Sequence, residues 1–194
     1  MDTKSRILLA ITGASGTPFA KALLNRLIIE PAVEQIILLS SPVGRKCLKN
    51  ETGHLIEELA CASGKIHLLS ENDLEADISS GSSLHRGMAI VPCSAGTLGR
   101  IASGTSDSLI TRAADVCLKE RRPLILCVRE TPLNRIHIEN MLRAHDSGAT
   151  IMPLAPAFYH NPNTIEELCD TFAVRTLDQL GFFQEDHRRW RGSK

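Results

Sequence analysis

The stretch TRAADVCLKERRPLILCVRETPL, residues 111–133, places a short apolar run between two charged segments. The run LILCV, residues 124–128, follows Pro123 and is uniformly apolar, which is typical of a parallel strand buried on both faces. Arg129 and Glu130 come directly after it. In an open α/β sheet, ligands bind beyond the carboxyl ends of the strands. The stretch therefore predicts a parallel sheet with a site for an anion and a proton transfer at that edge.

The rest of the chain repeats this pattern, because apolar runs of strand length alternate with helical periodicity. Strands are predicted at residues 7–11, 35–39, 66–69, 88–91, 124–128 and 150–154. Helices are predicted at residues 18–27, 93–103, 107–120, 134–147 and 164–180, with Gly104, Gly148 and Gly181 at C-terminal ends. The expected fold is α/β: a single Rossmann-like domain over residues 1–194, with three αβα layers, a mostly parallel sheet and a tail from about residue 182.

Composition excludes several classes of protein. The chain has 194 residues and is 43% hydrophobic, which is enough for one packed core. Its 22 Lys and Arg balance 22 Asp and Glu, so no overall field would attract nucleic acid or an anionic membrane. No apolar run has the length of a transmembrane helix or a signal peptide. The six cysteines form no CxxC pair and the histidines no metal spacing, which predicts free thiols in a reducing cytoplasm and no metal.

Three predicted strands end in small hydroxyl residues. TGASG, residues 12–16, joins the first strand to a helix, and such backbone N–H groups at a helix N-terminus suit a phosphate. The segment lacks GxGxxG and the lysine of a P-loop, so FMN fits better than NAD. Ser41 follows the second strand and PCSAGT, residues 92–97, the fourth. A ligand-free turn, or a serine serving only as a helix N-cap, would look the same. Together the three turns predict one groove lined with hydrogen-bond donors.

Two features in the last third of the chain indicate an anion site. Arg175 falls on the flank of the apolar stripe of the last predicted helix, where an arginine needs an anionic partner. In PLAPAFYH, residues 153–160, the prolines would hold Tyr159 in a fixed place. A core-packing Phe158–Tyr159 pair is an equally good interpretation.

The other charged residues, and the small residues of one loop, indicate less about function. Arg121 and Arg122 are predicted to be surface residues at a helix end. SSGSS, residues 79–83, is predicted to be a flexible loop.

Seven segments, in order along nearly the whole chain, resemble the UbiX-type flavin prenyltransferases, formerly described as aromatic-acid decarboxylases. They are TGASG (12–16), ETG (51–53), PCSAGTL (92–98), TRAADVCLKERRPL (111–124), VRETPL (128–133), APAFYH (155–160) and RTLDQL (175–180). The resemblance implies a metal-independent enzyme that moves a dimethylallyl group from dimethylallyl phosphate to N5 and C6 of reduced FMN. The product, prenylated FMN, would serve a partner UbiD-type decarboxylase, in ubiquinone biosynthesis or in phenolic-acid breakdown. Such enzymes are typically homododecamers with sites shared between subunits.

The resemblance also implies site residues by position. The flavin-binding set becomes Gly13, Ala14, Ser15, Ser41, Ser94, Ala95, Gly96, Thr97 and Arg129. The prenyl-phosphate set becomes Tyr159 and Arg175, with Lys119, Glu130 and Arg112 around them, the last from a neighbouring subunit. Among these, Arg175, Lys119 and Tyr159 would stabilise the charge on the leaving phosphate. Glu130 would protonate that phosphate, and Glu51 would accept the proton of flavin N5.

One position departs from the family pattern. Ser83 stands where the family often has an aromatic residue, so this position offers no aromatic face for cation–π stabilisation. Phe158 or Trp190 would have to supply it.

Two other functions stay open. An FMN-dependent oxidative decarboxylase of the cysteine-decarboxylase type would carry a catalytic histidine and a PxMNxxM motif, where this chain has PAFYH at residues 156–160. A non-catalytic flavin carrier would not need anion-binding residues beyond those for one FMN phosphate.

Overall fold

The computed structural model of the chain describes residues 5–183. Its centre is a sheet of six parallel strands in the order β3-β2-β1-β4-β5-β6. The strands are β1 (Ser5–Ile11), β2 (Val33–Ser40), β3 (Ile66–Leu68), β4 (Gly87–Cys93), β5 (Leu124–Val128) and β6 (Thr150–Ile151). All six lie where the apolar runs predict them. The order reverses direction between β1 and β4, which is the place where α/β sheets of this kind bind ligands.

The central strands are buried on both faces. In β1, Ile7, Leu9 and Ile11 pack into one apolar core, while Leu8 and Ala10 pack into a second core on the other face. Each of these side chains is at most 1% exposed. Two-sided burial explains why the strands read as continuous apolar runs instead of alternating patterns.

Helices cover both faces, which confirms the three-layer prediction. On one face, α1 (Thr17–Ile29) packs against α7 (Ile165–Gln179), with the rings of Phe19 and Phe172 5.2 Å apart. The other face carries α4 (Ala95–Ala102), α5 (Leu109–Lys119) and α6 (Arg135–Asp146). Gly104, Gly148 and Gly181 have φ angles of 72°, 108° and 82°, the left-handed conformation expected just after a helix.

Two helices are absent from the sequence prediction: α2 (Pro42–Thr52) and α3 (Ile56–Ala60). In α2 only Gly44 and Leu48 are buried, so no apolar stripe marks the helix. The local signal for α2 is Ser41 followed by Pro42, because serine is a common N-cap and proline is common at the first helical position.

Strand ends also differ from the prediction. β4 continues through Cys93, so α4 begins at Ala95 and not at residue 93. β6 is shorter than the predicted 150–154, although the N–H groups of Met152 and Leu154 still donate to β5 carbonyls at 2.9 Å.

The ends of the chain are outside the described part. Residues 184–194 hold most of the predicted tail, and Trp190, which was predicted to compensate for Ser83, lies among them, outside the described residues. Within residues 5–183, no helix is both long and apolar enough to cross a membrane.

Candidate functional site

The carboxyl ends of β1, β2 and β4 open into a cleft of about 380 Å³. Three helices begin at its wall, and each is capped by a serine: α2 by Ser41, α4 by Ser94 and α5 by Ser108. Ser41 Oγ accepts from the Gly44 N–H at 3.0 Å, and Ser94 Oγ accepts from the Thr97 N–H at 3.2 Å. The serines are therefore N-caps, as the simpler interpretation held, and they also line one groove. Three helix N-termini at one cleft favour an anion there.

Charged residues that the sequence did not single out also line the cleft. Arg100 Nε donates to Asp107 Oδ2 at 3.0 Å, and Glu71 lies on the same wall. Burial raises the pKa of Glu71, with charges nearby that act in both directions. No local pattern marks Arg100, because it sits inside α4 and reaches the cleft only through the packing of α4 beside α5. Asp107 had a weak signal, since it precedes a serine-capped helix start.

The predicted phosphate cradle at the start of α1 binds a carboxylate of the chain itself. Glu51 Oε2 accepts from the N–H groups of Gly16 at 2.9 Å and Thr17 at 2.8 Å, and from the Thr17 hydroxyl at 2.7 Å. These bonds satisfy the first donors of the helix. Glu51 therefore occupies the position at the α1 N-terminus that was predicted for a phosphate, and the helix N-termini that line the cleft are those of α2, α4 and α5.

The protonation of Glu51 follows from the same contacts. Burial alone would raise its pKa, but hydrogen bonds from Thr17, Ser15 and Gly16 outweigh that effect, and the pKa of Glu51 lies below its usual value. The carboxylate is thus ionised at neutral pH and can accept a proton.

The loop after β1 lies between the cleft and the end of β5. Gly13 lines the cleft, and a Cβ added there would lie 2.8 Å from Val43 Cβ. Ala14 closes a tight turn by donating from its N–H to the Thr12 carbonyl at 2.8 Å. Arg129 Nε donates to the Ser15 carbonyl at 3.2 Å, which ties the end of β5 to this loop. The predicted flavin-binding residues of β1 and β5 are therefore neighbours.

The predicted residues Ala95 and Gly96 form the first turn of α4. Arg100 Nη1 donates to the Gly96 carbonyl at 3.3 Å, and this bond connects the first turn of α4 to the arginine side chain that lines the cleft.

Tyr159 and Arg175 lie on the face of the sheet that α1 and α7 cover. The loop after β6 runs back along α7, because His160 Nε2 lies 3.1 Å from Thr171 Oγ1, one helical turn before Arg175. Tyr159 is 48% exposed and Phe158 68%, so the core-packing interpretation of this pair is wrong. The Arg175 side chain is 57% exposed, and its contact with Asp178 is long, at 3.9 Å.

Arg112 and Lys119 lie on α5, across the sheet from α7. Arg112 Nε donates to the Ser79 carbonyl at 2.9 Å, and Lys119 pairs with Glu120. A Cβ at Gly81 would lie 2.4 Å from Lys119 Nζ, so the loop 79–83 passes directly beneath this lysine.

The loop 79–83 is held in place, contrary to the flexible loop that the sequence predicted. Arg122 donates to the carbonyls of Gly81 and Ser83, both at 2.7 Å, and is partly buried. Arg122 is therefore a structural anchor and not the surface residue that was predicted. Ser83 itself bonds to Asp77 and Arg6.

Within one chain, the predicted donor-site residues do not meet. Tyr159 and Arg175 lie on one side of the sheet and the α5 residues on the other, and Glu130 is exposed just beyond the end of β5. Among residues 5–183, no group of three His, Cys, Asp or Glu side chains could hold a metal ion. All six cysteines are free, as predicted.

Comparisons with known proteins agree with the fold and the motifs. A family model described as Flavoprotein matches residues 1–177. Flavin prenyltransferase UbiX of Deinococcus radiodurans is 44% identical over 186 residues, which are 96% of this chain and 93% of that protein. A crystal structure of AnUbiX in complex with FMN and dimethylallyl pyrophosphate is 40% identical, with a TM-score of 0.87, covering 98% of this chain and 100% of that one. A dodecameric FMN-dependent UbiX-like decarboxylase from Escherichia coli O157:H7 is 39% identical, with a TM-score of 0.90 and coverage of 96% and 100%.

Proposed function

The chain belongs to the flavoprotein family and, within it, to the UbiX-type flavin prenyltransferases, and we propose that it transfers a dimethylallyl group from dimethylallyl phosphate to N5 and C6 of reduced FMN. The product, prenylated FMN, serves as cofactor for a UbiD-type decarboxylase. The similar AnUbiX structure, which holds FMN together with dimethylallyl pyrophosphate, supports both ligands. We also propose that the reaction takes place in the cytoplasm, and the six free thiols support this.

The observation that carries this proposal is the cleft at the switch between β1 and β4. Its donors fit the phosphate and polar chain of FMN: the N-termini of α2 and α4, with their Ser41 and Ser94 caps, and Arg100. The flavin ring would extend from there toward Gly13 and Ser15, where Arg129 and Glu51 converge on the same loop.

The donor site is proposed to form between subunits. In a single chain, Arg175 and Lys119 occupy opposite faces of the sheet, so one bound phosphate cannot touch both. Arg175, at 57% exposure, and Tyr159, at 48%, are available to a neighbour. The dodecameric relative supports an assembly in which such faces meet. We therefore propose a homododecamer in which Tyr159 and Arg175 of one subunit complete the site with Lys119 and Arg112 from another.

In the proposed reaction, the allylic C–O bond breaks, phosphate leaves with the bonding electrons, and the terminal carbon of the donor bonds to N5, which loses a proton. The C=C bond of the attached group then takes up a proton at its middle carbon, and the tertiary carbocation so formed bonds to C6, which loses its proton. Arg175, Lys119 and the Tyr159 hydroxyl would stabilise the charge that grows on the phosphate. Glu130 would give the departing phosphate a proton. Glu51, ionised at neutral pH, would take up the N5 proton. Side chains thus carry the charge, and no metal is required.

Of the alternatives, oxidative decarboxylation of a cysteine substrate fits the chain less well. Residues 156–160 are PAFYH in place of the PxMNxxM motif, and the relative from Deinococcus radiodurans that matches 96% of the chain is a flavin prenyltransferase. A simple flavin carrier would need no second anion site, so it would not account for the exposed Tyr159 and Arg175 side chains.

The decisive experiment incubates the purified protein with reduced FMN and dimethylallyl phosphate under anaerobic conditions. Mass spectrometry of the released flavin should show a gain of one prenyl unit, and pretreatment with EDTA should not change the yield. Dimethylallyl diphosphate, supplied in a parallel reaction, identifies the preferred donor. An unmodified flavin, or carbon dioxide released from a peptidyl or pantothenoyl cysteine, would contradict the proposal.

A further inference from the structure

His160 contacts Thr171 through one ring nitrogen and Tyr159 through its ring, while its second ring nitrogen is buried without a hydrogen-bond partner among the described residues. Its Nε2 lies 3.1 Å from Thr171 Oγ1, and its ring meets the Tyr159 ring edge to face, with centroids 5.7 Å apart and planes at 84°. Its other nitrogen, Nδ1, is buried and has no hydrogen-bond partner among the described residues. A buried polar atom left without a partner is uncommon and calls for an explanation.

The direction of the Thr171 hydrogen bond follows from its second contact. The Thr171 hydroxyl lies 2.9 Å from the Glu167 carbonyl, which can only accept, so its one proton goes there. Thr171 Oγ1 must therefore accept from His160, which carries a proton on Nε2. This bond fixes the plane of the imidazole relative to α7, the helix that also carries Arg175.

The orientation of Tyr159 depends on that plane. Tyr159 is 48% exposed on a loop, and an edge-to-face contact restricts how its ring can turn. Asn161, which follows His160, has a φ of 51° and donates from its N–H to the Phe158 carbonyl at 2.9 Å, so the backbone turn is fixed as well. Thr171, His160 and Tyr159 form a chain of contacts from the buried side of α7 to an exposed phenol.

We infer that His160 is a positioning residue, which holds the Tyr159 hydroxyl beside Arg175 so that both can grip the phosphate of the prenyl donor. The inference rests on the proposed function and deepens it, because it assigns a role to a residue that touches neither ligand. Ordering the phenol in advance lowers the entropy lost when the donor binds. Once the donor is bound, its phosphate holds the phenol in place, where it can still stabilise the growing charge, so the loss of pre-ordering should fall on KM and not on kcat.

The test compares three variants in steady-state prenyl transfer with the donor varied. His160→Gln removes the aromatic contact, Thr171→Val removes the anchor and leaves both rings, and Tyr159→Phe removes the phenol itself. We expect His160→Gln and Thr171→Val each to raise the KM for dimethylallyl phosphate roughly fivefold with little change in kcat, the size expected for one aromatic contact. FMN affinity should be unchanged. His67→Gln, at an exposed histidine on β3, is the matched control and should leave KM unchanged.

A double variant separates positioning from a general structural role. If His160 acts through the phenol, His160→Gln added to Tyr159→Phe should raise KM by less than about twofold more, because coupled residues are not additive. Two results would overturn the inference while the proposed function stands. One is an additive effect of the two changes on KM. The other is a raised KM in Tyr159→Phe together with a normal KM in His160→Gln. A wild-type protein that modifies no flavin would overturn the proposed function and this inference with it.

Discussion

Glu51 and Thr17 are joined by two hydrogen bonds, from the Thr17 N–H at 2.8 Å and from its hydroxyl at 2.7 Å, both to the same carboxylate oxygen. The contact links the last turns of α2 to the first turn of α1, next to the loop that carries Gly13 and Ser15. A carboxylate at a helix N-terminus is stabilised by the helix dipole as well as by the bonds themselves. Glu51 therefore has a structural function in addition to the catalytic one proposed for it.

Replacing Glu51 by Gln should separate these two functions. We expect the free energy of unfolding at pH 7 to fall by about 1 kcal/mol, the usual cost of losing a helix cap. The folded-state pKa of Glu51 lies below its unfolded value near 4.5, so the stabilisation is full above that pH and is lost as the pH falls through the folded pKa. The stability difference between wild type and variant should therefore shrink in acid. Prenyl transfer should drop roughly a hundredfold if Glu51 accepts the N5 proton.

Glu58→Gln is the matched control for this change. Glu58 Oε2 accepts from the Leu55 N–H at 2.8 Å and so also caps a helix start, that of α3. Its bond stays within the start of α3, whereas Glu51 contacts Ser15 and Gly16 in the loop after β1. A loss of activity in Glu58→Gln as large as that in Glu51→Gln would count against a catalytic role for Glu51.

Gly13→Ala should weaken FMN binding because the new Cβ would overlap Val43. The separation of 2.8 Å from Val43 Cβ is shorter than real side chains adopt, and both residues line the cleft. Fluorescence titration with FMN should show a Kd raised roughly tenfold, equivalent to about 1.4 kcal/mol. Adding Val43→Gly, which removes both the Cβ and the Cγ1 atom that the new methyl group would meet at 2.8 Å, should recover most of this loss. If it does not, the methyl group obstructs the flavin directly, and the explanation by Val43 is wrong.

The sequence predicted the sheet well because two-sided burial leaves a signal in each strand by itself. Residues 124–128, for example, are apolar without a break. The serine turns were also visible, since N-caps are local. The contacts that define the site were not, because they join residues far apart in the chain. Nothing near Glu51 indicates that it caps a helix 34 residues earlier. Likewise, the separation of Arg175 from Lys119 depends on which face of the sheet each helix covers.

Mixed oligomers should show whether the donor site is shared between subunits. Arg175→Ala and Lys119→Ala are each expected to be nearly inactive. When the two chains are co-expressed and purified through different tags, about a quarter of the sites should join an intact Arg175 to an intact Lys119, and activity should return in that proportion. Co-expressing Arg175→Ala with Tyr159→Phe is the control, because both changes affect the same face and no site is repaired. Failure of the first mixture to recover activity would contradict an intersubunit site.

Stability should fall as the pH drops from about 6.5 to about 4, and His85 should account for part of the loss. His85 is only 7% exposed, and burial, followed by the charge of Arg122, lowers its pKa to about 4 from the ordinary 6.5. Between these values the unfolded chain binds a proton that the folded chain does not, so the free energy of unfolding rises with pH. The contribution is at most about 3 kcal/mol. Chemical denaturation at pH 7 and pH 4.5 should show a smaller difference for His85→Gln than for wild type. Equal differences would mean that His85 stays neutral in the unfolded state or is charged in the folded one, and either result would contradict the lowered pKa.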